Sequence, residues 1–396
     1  MKRSPIVYFL FLFSGITALI YEVVWARMLT LVFGHTVFSV SIVLASFMAG
    51  LGFGSYFFGH AINNIDSKKI HPDSSNFSRE SSEGLVTSLP LLLYGWIEIV
   101  LFLLCLVVSL ILFKFSIIYS WLGFFIPESI VIQNIFKSFL AFILMFLPAS
   151  LMGATLPIIS KYYITDNIRL DSRLGLLYGI NTFGAALGCL LTGFFLIANF
   201  GVLQTVLVAT LINLFVGVCA IRIYQEGEET SHSFRLPHFT IPKISLKEDQ
   251  WLWVAVSFVC GFTALSYEVL WTRLLVFSTS STVYSFSMML GVFLIGIALG
   301  SFLVIAVFRS SLNLRTVLIF LQVSIGFYVI GSLYNIEQLL SVPWNGYNLQ
   351  KPAFVFWRYF LDSSALMLLP TIALGMSFPI LIKIISNGHE DIGKGT

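Results

Sequence analysis

Two stretches of this chain place an acid, a base and two aromatic rings where every neighbour is apolar. Residues 17–29 read TALIYEVVWARML and residues 263–275 read TALSYEVLWTRLL. Each holds a glutamate (Glu22, Glu268) and an arginine five residues on (Arg27, Arg273). A tyrosine precedes each acid (Tyr21, Tyr267), and a tryptophan follows three residues later (Trp25, Trp271). Charge inside an apolar span is costly unless paired or wetted, so such residues are candidates for a substrate or ion pathway. Carboxylates flanked by aromatic faces suit an organic cation. Rings at helical spacing serve packing equally well.

Five residues is about 140° around a helix, so the glutamate and arginine of one segment do not face each other. Two arrangements stay open. In one, Glu22 pairs with Arg273 and Glu268 with Arg27. In the other, each arginine snorkels to the headgroups and each acid is protonated or bonded locally. Glu98, within LLLYGWIEIVLFLL, has no evident partner, whereas Asp362 has Arg358 one turn earlier and should form an i,i+4 pair. No catalytic set, cofactor motif or metal-ligand spacing accompanies these residues. The histidines are dispersed, Cys105, Cys189, Cys219 and Cys260 sit in apolar runs without CxxC spacing, and no Gly-rich phosphate loop or nucleophile elbow occurs.

The elements that must position these side chains are membrane helices. Hydrophobic residues make up 58% and charged residues 10% of the chain, and mean hydropathy is +0.93. A soluble domain carries roughly a quarter charged residues, so this composition predicts an all-α polytopic membrane protein. The net charge of +3 is scattered over loops and implies no nucleic-acid partner. Apolar runs of spanning length occupy 6–32, 37–62, 87–113, 131–163, 174–198, 202–224, 251–277, 281–307, 313–335 and 353–386, about ten transmembrane helices. Residues 115–125 are too short to cross, and 63–86 read as a solvated loop. With the N-terminus cytoplasmic, Lys114, Lys137, Lys351 and Arg358 alone fall on the far side, while the other lysines and arginines outside the spans stay on the near one. That asymmetry follows the positive-inside rule. The first span lacks a small-residue cleavage site and is expected to be retained.

Residues 14–57 align without a gap to 260–303, sharing Gly15/Gly261, Ser39/Ser285, Gly50/Gly296, Gly54/Gly300 and Ser55/Ser301 besides the charged motif. PASLMGATLPIISK (148–161) answers PTIALGMSFPILIK (370–383). An even number of spans separates the copies, so they run the same way through the membrane, as in the two halves of major-facilitator transporters. The expected organisation is a six-helix repeat over 1–224, a linker over 225–250, and a second repeat over 251–396 with four helices. The missing pair would lie beyond this chain, as in a fragment or split gene product. Pro148, Pro157, Pro370 and Pro379 are expected to kink or break the fourth helix of each repeat. The glycine pairs, Gly184/Gly188 among them, are expected to let helices approach closely.

The motifs SGITALIYEVVWARML, GHTVFSVSIVLASFMAGLGFGSYFFG, LPASLMGATLPIISK and RLGLLYGINTFGAALGCLLTGFFLIANFG together resemble the membrane domain of bacterial membrane-bound spermidine-synthase-like proteins. That domain is major-facilitator-like and is usually fused to an aminopropyltransferase. The resemblance covers essentially the whole chain and implies a bacterial inner-membrane location and a link to polyamines. No aminopropyltransferase residue carries over, because the chain holds no soluble stretch long enough for a Rossmann domain. Three functions follow as expectations. One is handling or transport of a small cation such as a polyamine through a cavity rimmed by Glu22, Glu268 and Glu98. The second is anchoring an aminopropyltransferase encoded elsewhere, and the third is a structural role in a membrane complex.

Overall fold

The computed structural model describes residues 4–34, 36–67, 79–122, 129–163, 170–225, 248–279, 282–310, 312–334 and 352–390. Nearly all of them are helical, as a bilayer demands of a chain that must satisfy its backbone hydrogen bonds internally. In chain order the helices are α1 (Ser4–Phe33), α2 (Thr36–Ser67), α3 (Arg79–Phe113), α4 (Phe115–Leu122), α5 (Ile130–Tyr163), α6 (Leu170–Leu191), α7 (Ile197–Gln225), α8 (Glu248–Thr279), α9 (Thr282–Arg309), α10 (Leu314–Tyr334) and α11 (Pro352–Glu390). A π-helical turn, Thr192–Leu196, joins α6 to α7.

Nine helical segments among the described residues are long and apolar enough to cross a membrane. One of them, Leu176–Gln225, is 50 residues long. At 1.5 Å per residue that is roughly 75 Å, more than twice the hydrocarbon thickness. Gly201 interrupts it with φ 79° and ψ 178°, a left-handed backbone that glycine adopts without a Cβ clash. The two runs expected at 174–198 and 202–224 lie on either side of that break. The 115–125 piece contains α4, eight residues and about 12 Å, too short to span. The loop expected over 63–86 is shorter at both ends, because α2 continues to Ser67 and α3 begins at Arg79; residues 68–78 lie outside the described ones.

The chain forms two compact units that cut across its order. The first comprises residues 1–177 and 199–243, the second 178–198 and 244–396. Most of the linker expected at 225–250 lies outside the described residues.

In the first unit α2 lies against α5 along Gly50, Gly54 and Gly153. A Cβ at Gly54 would strike the Ser150 carbonyl, and one at Gly153 would strike the Leu51 backbone. Backbone-to-backbone approach of this kind replaces the hydrophobic drive that lipid cannot supply. Gly95 of α3 and Gly217 of α7 meet in the same manner. α1 packs on α2 and α3, and α3 also packs on α5.

In the second unit α9 and α11 meet through Gly296, Gly300 and Gly375, and α8 and α10 pack on that pair. The end of α6 and the π-turn belong here because Leu190 fills the space over Gly291 and the Ser287 side chain lies over Gly193. Cys189 donates to the Ser287 carbonyl at 3.3 Å.

The prolines do not break their helices. α5 runs on through Pro148 and Pro157, and α11 through Pro370 and Pro379. A helical proline removes the hydrogen bond to the carbonyl four residues back. For Pro157 that carbonyl is Gly153, and it accepts instead from the Ser55 hydroxyl of α2 at 2.8 Å. For Pro379 it is Gly375, which Ser301 of α9 reaches at 3.4 Å. A neighbouring hydroxyl thus takes up the freed acceptor, so the helix need not open.

Candidate functional site

A line of buried polar contacts forms a seam between α1 and α3. On α1 the residues Leu10, Ser14, Tyr21 and Trp25 recur at steps of four, seven and four, which holds them on one face. Each meets the residue 84 positions later. The Tyr94 hydroxyl donates to the Leu10 carbonyl at 3.2 Å, and Ser14 Oγ donates to Glu98 Oε1 at 2.5 Å. Cys105 lies against the Tyr21 hydroxyl, and Trp25 Nε1 donates to Ser109 Oγ at 2.8 Å. One constant offset along fifteen residues, about 22 Å, means that the two helices run in the same direction without slipping.

Glu98 is wholly inaccessible, and its Oε2 has no hydrogen-bond partner among the described residues. The Tyr94 hydroxyl lies beside the carboxyl. Among the described residues α1 carries one base, Arg27, thirteen residues beyond Ser14, about 20 Å along the axis. A lone buried carboxyl in such surroundings requires a proton or a cation to neutralise it.

The repeated motif is packed in the same style in each unit. Tyr21 stacks on Trp25 (5.5 Å, 27°) and Trp25 tilts against Phe47. Tyr267 stacks on Trp271 (5.3 Å, 22°), which tilts against Phe293. These ring faces are occupied by one another. Glu22 is buried in α1. On α8, otherwise half-buried or exposed, the buried residues among the described ones are Glu268, Trp271, Thr272 and Leu275, a single stripe at helical spacing. Glu268 Oε1 has no partner among the described residues. Arg27 is half-buried and Arg273 exposed, each six residues before the end of its helix. That is about 9 Å from the helix end.

Arg358 and Asp362 form the expected i,i+4 pair at 3.1 Å. Gln322, which lines up roughly with Glu98 in sequence, turns to α11 and donates to Ser377 Oγ at 3.0 Å. Sequence reasoning singled out Glu98 but missed Ser14, Tyr94 and Ser109, its companions in the seam. The signal was present as the matched four–seven–four spacing of polar and aromatic residues on α1 and α3, though a spacing does not say which helices touch. The described residues contain no cluster of three or more histidine, cysteine or acidic side chains able to hold a metal.

No family model, no curated protein and no solved structure matches this chain.

Proposed function

We propose that this chain is the membrane domain of a spermidine-synthase-like protein of the bacterial inner membrane, N-terminus cytoplasmic, and that it handles a small organic cation such as a polyamine. The observation that carries the reading is the placement of carboxyl groups. Glu22 and Glu268 are both buried on the packed faces of apolar helices rather than exposed at helix ends. An acid kept there against its solvation cost is a functional group by default, and an amine-bearing solute is the class of ligand whose charge complements it. The lysine and arginine asymmetry of the loops supports the orientation.

The test is spermidine movement in vesicles bearing the parent chain, Glu22→Gln or Glu268→Gln. Loss of movement in both variants, with the chains still folded, supports the reading. Unchanged movement in both removes these carboxyls from the pathway.

The closure of these sites favours a second reading. At 0–2% exposure none of Glu22, Glu98 and Glu268 meets solvent, as expected of a packed domain that anchors an aminopropyltransferase instead of passing substrate. Vesicles that move no spermidine, together with aminopropyltransferase activity that purifies with the chain, would select it.

A further inference from the structure

Glu98 differs from the other two buried acids in one respect: no second copy of it exists. Glu22 and Glu268 recur at matching places in the repeated motif, whereas the place of Glu98 is taken in the second repeat by the neutral Gln322. Ser14 likewise gives way to Cys260, and Tyr94 to Leu318. The polar seam therefore belongs to the first unit alone.

We propose that Glu98 is a proton-binding site, separate from the groups that meet the cationic solute, and that it couples solute movement to a proton gradient. This rests on the transport reading above.

The geometry favours a proton over any larger ligand. The carboxyl is fully enclosed, and one carboxyl with one serine hydroxyl is far short of the six or more oxygens that a hard divalent cation takes. Both states of the acid find partners here. The carboxylate accepts from Ser14 Oγ. The protonated form has Tyr94 beside it, whose hydrogen is committed to the Leu10 carbonyl and whose oxygen keeps lone pairs for a new donor. A permanently neutral residue would serve packing as glutamine, and position 322 shows that glutamine finding its own partner.

The titratable groups facing Glu98 are Tyr21 from α1 and Tyr94 and Cys105 from its own helix. Of the other helices packed on α3, α4 carries Tyr119, α5 carries Lys137, Lys161 and Tyr162 toward its ends, and α7 carries Cys219, an exposed Arg222 and Tyr224. Among the described residues no ion pair holds Glu98 in one charge state.

The experiment uses the full chain in proteoliposomes with radiolabelled spermidine as probe. Two assays are run: accumulation driven by a pH gradient, and spermidine–spermidine exchange without one. Glu98→Gln should reduce accumulation to the no-gradient level while exchange stays within twofold of the parent. Glu98→Asp should keep part of both. Accumulation by Glu98→Gln equal to the parent overturns the proposal, as does a parallel loss of exchange in a variant that elutes as folded protein. If the parent moves no spermidine, the transport reading fails first. Infrared difference spectra of the parent between acid and alkaline buffer then decide the proton site alone. A carboxylic C=O band that titrates, is absent in Glu98→Gln and shifts in Ser14→Ala supports it; a spectrum unchanged by Glu98→Gln overturns it.

Discussion

The α1–α3 pair of the first unit and the α8–α10 pair of the second begin from related sequences and reach different interiors. In the first, Leu10, Ser14, Tyr21 and Trp25 meet Tyr94, Glu98, Cys105 and Ser109 along a hydrogen-bonded seam. In the second, Val256 and Cys260 pack with Leu318 in an apolar cluster, and Gln322 looks away to α11. Within an 18-residue apolar window of each span, 56% of the α1 window is buried in the protein, against 6% of the α8 window. The frame around each pair is nonetheless alike, with glycine-lined contacts of α2 with α5 and of α9 with α11, each carrying a serine over a proline-freed carbonyl. Similar glycine-lined frames thus surround one polar and one apolar pair, because the close helix contacts do not depend on what lies in the seam.

Substitution of paired positions tests that contrast, with thermal unfolding in detergent as the readout. The largest effect is expected at the shared frame. Gly54→Leu and Gly300→Leu each drive a side chain into a facing backbone carbonyl and should cost about 3 kcal/mol or more, so that little folded protein is recovered. Tolerance of either would break the equivalence of the two frames. Next, Ser14→Ala removes the donor to a buried carboxyl and should cost about 1–3 kcal/mol. Its counterpart Cys260→Ala, at a half-buried apolar position, should stay under about 1 kcal/mol. Equal effects would dissolve the difference between the seams.

Smaller still, Ser55→Ala should cost about 1 kcal/mol through the 2.8 Å bond it removes. Ser301→Ala, whose bond to Gly375 is 3.4 Å and shared with Ile297, should cost about half that. A reversed order would mean that the proline-freed carbonyls are satisfied in some other way. The smallest effect is Arg358→Ala, which breaks an i,i+4 pair worth roughly 0.3–0.5 kcal/mol.

Much of the fold was legible because membrane helices announce themselves locally. Length and apolarity alone predicted the helices, and the Arg358–Asp362 pair follows from its spacing on one helix. Gly201 hides a boundary, since a single residue at φ 79° divides a helical stretch without changing its hydropathy. The prolines were expected to kink or break their helices; α5 and α11 stay continuous, with Ser55 and Ser301 over the Gly153 and Gly375 carbonyls that Pro157 and Pro379 free. Of the candidate site, Glu98 stood out as an acid among apolar residues, but nothing local ties it to a serine 84 positions earlier.

The sequence by itself determined the solvent this protein needs, its helical secondary structure and the recurrence of Glu22 and Glu268 in matching motifs. Each of these depends on residue type and short-range period alone. Only the tertiary structure decided that residues 178–198 join the second unit, that the glutamates face inward, and that Ser14, Tyr94 and Glu98 form one cluster. Those outcomes depend on which helix faces meet. In lipid, that choice is made by close contact among small residues and by buried hydrogen bonds, which sequence-local hydropathy does not encode.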